Sequence, residues 1–248
     1  MKLSRLLLGV ALTITIFVWF GWDHFVGVTY RYRLTVEVNT PNGIRAGSSV
    51  IEVETWEGIG LPGPEAGGIR NRVRGEAVVV ELPGQKRLFV LLDKADTLLL
   101  EAYDRYLPQE LGDLEKLRKA RSLNIVAAVP RYRAPKKLKL RRAAMAKREI
   151  SKDRLDNFPL FVDFQRRDDP MSVQRVDPDH LETTYGKGFS LKRVFLQTTN
   201  DNISGEIQRH LPWIEKYSNR NFSGNPRFEF PTPLADLLNA GYFTTKVK

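Results

Sequence analysis

Hydrophobic and polar positions follow three regimes along this chain, and each predicts a different kind of element. The first has no period: Leu6 to Trp22 (LLLGVALTITIFVWFGW) is apolar throughout, with neither charge nor proline. Its 17 residues at ~1.5 Å rise make roughly 25 Å of helix, the short end of what spans a ~30 Å hydrocarbon core. The second regime is alternation. Tyr30 to Asn39 (YRYRLTVEVN) sets a ring or aliphatic side chain against a polar one at every step, which marks a strand with one wet face. Pro41-Asn42-Gly43 is a turn, and Ser49 to Trp56 (SVIEVETW) reads as the returning strand of a hairpin. Glu76 to Leu82, the turn Pro83-Gly84-Gln85 and Arg87 to Leu92 predict a second hairpin. Its consecutive apolar runs, AVVVEL and LFVLL, predict burial on both faces. Residues 30–92 are thus expected to form an antiparallel meander, interrupted by the loop Gly58 to Gly68 (GIGLPGPEAGG).

The third regime is helical. Asp93 is placed to cap a helix in which Ala95, Leu99, Ala102, Tyr103 and Tyr106 fall on one side. A second helix, roughly Pro108 to Arg121, turns Leu111, Leu114 and Leu117 inward, with Gly112 as its weak point. Alternation returns at Leu123 to Val129, and Leu160, Val162 and Phe164 share one face of a short strand. Asp177, Pro178 and the pair Val176 and Leu181 spell a capped and stapled helix start, ended by Gly186; Asp169-Pro170 repeats the cap and proline pairing. Leu191 to Thr199 is strand-like, and Ile203, Ile207 and Leu211 make a short helix stopped by Pro212. Thr232-Pro233 opens a last helix with Leu234, Leu237 and Leu238 inward and Gly241 as its stop; Tyr242 to Val247 adds an edge strand. The expected class is α+β: an N-terminal transmembrane helix, then a mixed, mainly antiparallel sheet with covering helices. The divisions are 1–29, a membrane anchor; 30–130, a sheet-rich region with two helices; 131–150, a basic linker or loop; and 151–248, an α+β region that shares one domain with 30–130 or stands apart.

Three readings compete for the apolar run: a permanent anchor, a cleaved signal peptide and a buried core helix. A signal peptidase needs small residues just after the apolar core, and this run ends in Trp19, Phe20, Gly21 and Trp22, so the anchor is favoured. Trp19, Phe20 and Trp22 are the candidate interface residues, because amphipathic rings settle where bilayer meets water. Lys2 and Arg5 precede the run, which points to a cytoplasmic N-terminus, a bulk in the periplasm and an address in the inner membrane. The absence of cysteine agrees with an oxidising compartment.

Charge changes the picture at one place. The chain of 248 residues carries a formal net charge of +10, and Arg131 to Arg148 (RYRAPKKLKLRRAAMAKR) holds nine Lys or Arg and no acid. Lys136, Lys137, Lys139, Arg141 and Arg142 are therefore the candidate binding residues, for a protein partner or an anionic envelope polymer; the competing reading is a solvated linker. Nucleic acid is disfavoured by the expected topology.

Catalytic motifs are not found. His24, His180 and His210 lie far apart, and HExxH, GxSxG and SxxK do not occur. The glycine-rich loop lacks the ending of a phosphate cradle. Asp168, Asp169, Asp177, Asp179 and His180 form the one group with metal-ligand chemistry, but capping explains Asp177 and Asp169 without a metal. No metal or cofactor is expected.

Asp169-Pro170-Met171-Ser172-Val173, Val176-Asp177-Pro178-Asp179-His180-Leu181, Tyr185-Gly186-Lys187-Gly188, Leu191-Lys192-Arg193 and Leu211-Pro212-Trp213, with Gly47 to Val53 (GSSVIEV), together resemble an uncharacterised family of single-pass bacterial membrane proteins. The resemblance implies a bacterial source and an inner-membrane address; it carries no activity. The expected function is a membrane-anchored, non-enzymatic binding module exposed outside the inner membrane. The alternative is a tethered, hydrolase-like envelope enzyme whose active site is dispersed along the sequence.

Overall fold

A computed structural model describes residues 27–57, 69–131, 158–224 and 233–245. The predicted anchor, Leu6 to Trp22, lies outside the described residues, as do the glycine-rich loop and the cationic stretch from residue 132 onward. Among the described residues no helix is long and apolar enough to cross a membrane.

The body is α+β, built on two antiparallel sheets. The first hairpin is as alternation predicts. β1 (Val28–Thr40) pairs with β2 (Gly43–Glu57) along its whole length, and its exposure alternates strictly, with Val28, Tyr30, Tyr32, Leu34, Val36 and Val38 all buried. Burying one such side chain stabilises by roughly 1.5–3 kcal/mol, so this single strand face is a large part of the core. β3 (Ile69–Arg74) adds to the free edge of β2, a strand that the pattern missed because IRNRVR has five exposed or polar positions and no buried one. β4 (Val78–Glu81) and β5 (Arg87–Val90) form the second predicted hairpin around a 3-10 turn at Pro83–Gln85. The expected single meander ends here, because this hairpin belongs to the other sheet.

The remaining strands are β6 (Val126–Ala128), β7 (Phe161–Phe164), β8 (Val173–Arg175) and β9 (Ser190–Thr198). The five-stranded sheet has the order β3-β2-β1-β9-β6 and the four-stranded sheet β4-β5-β7-β8. Strands from both sides of the cationic stretch thus share both sheets. Gly47 in β2 lies at the crossing of the two sheets: a Cβ there would sit 2.0 Å from the Val79 carbonyl oxygen.

Among the described residues five α-helices cover the sheets: α1 (Leu98–Tyr103), α2 (Asp113–Ala120), α3 (Leu181–Tyr185), α4 (Ile207–His210) and α5 (Leu234–Leu237). One core cluster joins the inner face of the five-stranded sheet to Val78, Val80, Leu88, Val90 and Phe161, with α1 and α2 closing its side. A second cluster lies on the opposite face of the four-stranded sheet, where Phe89, Val162 and Phe164 meet Ile207, Phe222 and Phe243. The four-stranded sheet is therefore apolar on both faces, as its unbroken runs predict.

Several local expectations are corrected. Asp93 does not cap α1; its carboxylate accepts the Leu160 N–H at 2.9 Å, and the chain forms turns before the helix starts at Leu98. Tyr103 is fully buried and donates to the Ile125 carbonyl, but Tyr106 is exposed with Arg105 over its ring. The second helix starts at Asp113, so Gly112 is its flanking residue instead of an interior weakness. Asp177 closes a turn by accepting the Asp179 N–H, one turn ahead of α3; Val176 and Leu181 share the core, and Gly186 stops the helix at φ 102°. The C-terminal edge strand is reduced to one bridge between Glu76 and Thr244.

Candidate functional site

Two short strands part company and leave a notch. β5 and β7 pair only at Phe89 with Val162 and Val90 with Phe161. Beyond these pairs, Lys86 and Arg87 on one side diverge from Asp163, Phe164 and Gln165 on the other, and a cleft of about 710 Å³ opens between them. That volume falls within the ~300–1,000 Å³ of ordinary small-ligand sites. Backbone groups that the lost ladder would leave unpaired are closed by side chains: the Tyr185 hydroxyl donates to the Arg87 carbonyl at 3.2 Å, and Asp163 accepts the Phe164 N–H at 2.7 Å.

The cleft is cationic. Lys86, Arg87, Arg167 and Arg175 line it against the single acid Asp163. Lys86 donates to the Tyr185 carbonyl at 2.9 Å and sits over the Phe189 ring, which fixes its stem. Arg167 donates to the carbonyls of His210 and Arg209, and the Trp213 indole donates back to the Arg167 carbonyl at 2.8 Å. Arg87 differs, because its Nε is buried and has no hydrogen-bond partner; the nearest anion, Glu81, is 3.9 Å away. A buried donor without a hydrogen bond costs about 1–3 kcal/mol, part of which the Glu81 charge offsets.

Electrostatics agree with a low-dielectric site. Burial pushes the Asp163 carboxyl up to about 6, against the opposing pulls of the Phe164 amide, Gln174 and the Lys86 charge. Burial likewise raises the Tyr185 phenol, with the Asp163 charge adding to it. His210 is half-buried, and burial followed by the Arg87 charge lowers it below the ordinary imidazole value. Acids displaced this far in a cleft are markers of functional sites, although ion-pair networks shift them too.

Lys136, Lys137, Lys139, Arg141 and Arg142 lie outside the described residues, as do Trp19, Phe20 and Trp22. The acid and histidine group does not converge: Asp169 pairs with Arg166 and caps a 3-10 turn at Met171, Asp179 pairs with Arg131, and Asp177 faces His180 at 3.1 Å. Among the described residues no set of acids and histidines is arranged to hold a metal ion. Trp213 stacks edge-on with Phe164, Phe222 and Tyr217. A sequence signal for the cleft does exist in hindsight. Asp163 is the one charge inside the apolar run FPLFVDF, and Lys86-Arg87 stands at the mouth of LFVLL.

Comparison with protein-family models, with curated proteins and with solved structures gives no match.

Proposed function

We propose that this chain is a membrane-tethered, non-enzymatic binding module, and that the notch between β5 and β7 holds an anionic partner. The observation that carries this reading is the lining of one cleft by Lys86, Arg87, Arg167 and Arg175 against the single acid Asp163. The tether is the apolar run Leu6 to Trp22, which places the α+β body at the outer surface of an inner membrane. A binding role is preferred to a catalytic one because, among the described residues, two serines and the half-buried histidine are committed to the fold. Ser49 donates to the Glu76 carbonyl, Ser204 accepts the Val50 N–H, and His210 faces Glu81 instead of a hydroxyl. An anionic envelope polymer fits both the cleft and the address. The cationic stretch around Lys136, Lys137, Arg141 and Arg142 supplies a second positive surface for the same partner.

Full-length protein in detergent micelles, passed over immobilised polygalacturonate, tests this. Wild type is retained and elutes with salt, and Arg87→Gln with Arg175→Gln elutes at clearly lower salt. Equal retention of that double variant, with loss on charge reversal at Lys136, Lys137, Arg141 and Arg142, would move the binding surface from the cleft to the stretch. Recovery of the chain in the supernatant after alkaline extraction of membranes would remove the tether.

A further inference from the structure

The cleft has acceptors as well as donors, and their presence narrows the ligand. Resting on the reading above, we propose that the notch takes an acidic sugar unit, its carboxylate or phosphate held by Arg87 and its neighbours and a ring hydroxyl donated to Asp163. A site evolved for a bare anion presents donors alone, because a carboxylate facing the ligand repels it. Here one carboxylate lies in the middle of the cationic lining.

Its orientation is built. The Gln165 amide donates to Gln174 Oε1 at 3.0 Å, which leaves the Gln174 amide nitrogen to donate to Asp163. Asp163 Oδ1 also accepts the Phe164 N–H. A carboxylate has about four lone-pair sites, so two remain for a ligand. Thr183 and Thr184 on α3 line the same wall with hydroxyls that donate or accept. Four cations and these acceptors in one lining match a ligand with an acid group and hydroxyls on one small ring. Inorganic phosphate has the acid group and a single P–OH, but no ring to carry further hydroxyls across the cleft.

Titration calorimetry on the full-length chain in micelles at pH 7.5, where Asp163 is ionised, separates these cases. The probes are digalacturonate, glucose 6-phosphate, inorganic phosphate and maltose. At least one of the two sugar acids is expected to bind tenfold or more tighter than phosphate or maltose, and which one does so identifies the acid group. Asp163→Asn keeps the acceptor for the Phe164 amide; it is expected to weaken the sugar acid at least fivefold and to tighten phosphate. Thr184→Val serves where that variant does not fold, with the sugar acid weakened and phosphate unchanged. Sugar acid and phosphate binding alike, or tightening together in Asp163→Asn, would overturn the sugar assignment and leave the anion-binding module standing. If no charged probe binds wild type, the module reading fails and this one with it.

Discussion

The five-stranded sheet runs on long strands, 13 residues in β1 and 15 in β2, while the strands of the four-stranded sheet have three or four. The long sheet keeps one face in water and ties it with ion pairs: Glu52 between Arg31 and Arg74, Arg33 with Asp201, and Glu37 with Arg193 and Lys192. The short sheet has no wet face. Its few ladder bonds are held in place by packing from both sides, and where packing gives way to charge, at Lys86, Arg87 and Asp163, β5 and β7 separate. Long ladders make a wall; short ladders between two cores leave room for a site.

The largest test of that contrast removes a ring from the outer side of the short sheet. Phe243 is fully buried and meets Phe89, Phe164 and Phe222. Phe243→Ala is expected to cost about 3–5 kcal/mol in denaturant unfolding. A loss below 1 kcal/mol would mean that the second cluster does not hold the short sheet. Next is the crossing of the sheets. Gly47→Ala drives a methyl into the Val79 carbonyl and is expected to cost about 3 kcal/mol, the upper end for overpacking, because the obstacle is backbone and cannot rotate away.

A smaller effect, of opposite sign, comes from Asp93. Burial raises its carboxyl from 3.8 to about 6, so its neutral form is the one the fold prefers. Its contribution is fully present below 3.8 and is lost as pH rises through about 6. Asp93→Asn keeps the acceptor for the Leu160 amide and is expected to raise stability at pH 8 by about 1–3 kcal/mol, with no gain at pH 4. A thermal midpoint that rises equally at both pH values would assign the gain to something other than titration. The smallest effect belongs to the wet face. Glu37 is held down to about 2 by Arg193 and then Lys192, yet it lies on an exposed surface where water screens the pair. Arg193→Gln is expected to leave the midpoint at neutral pH within error, and a clear drop would show that the long sheet depends on its ion pairs.

Much of this architecture is legible along the chain. Period-2 alternation located β1, a strand-like stretch from Leu191 matched β9, and unbroken apolar runs marked the double burial of β4 and β5. β3 escaped because an edge strand with polar side chains has no apolar face to advertise. Asp93 was misplaced for a different reason: a carboxylate before a helical pattern looks like a cap, and only the approach of Leu160 gives it another donor. The sequence marks Asp163 and Lys86-Arg87 only as charges beside apolar runs; that they meet Gln174 in one cleft depends on how β5, β7 and β8 are placed, which is not a sequence property.

The order of residues by itself determined which segments are apolar enough to be buried, the α+β class that follows, and the 17-residue run fit for a bilayer. Those are local properties, fixed by side-chain transfer energies and backbone periods. Tertiary structure alone decided that β9 inserts between β1 and β6, that the second hairpin leaves the first sheet, and that a lone acid meets four cations in one notch. Such pairings depend on which faces find each other in space, and a one-dimensional pattern carries the supply of faces without their partners.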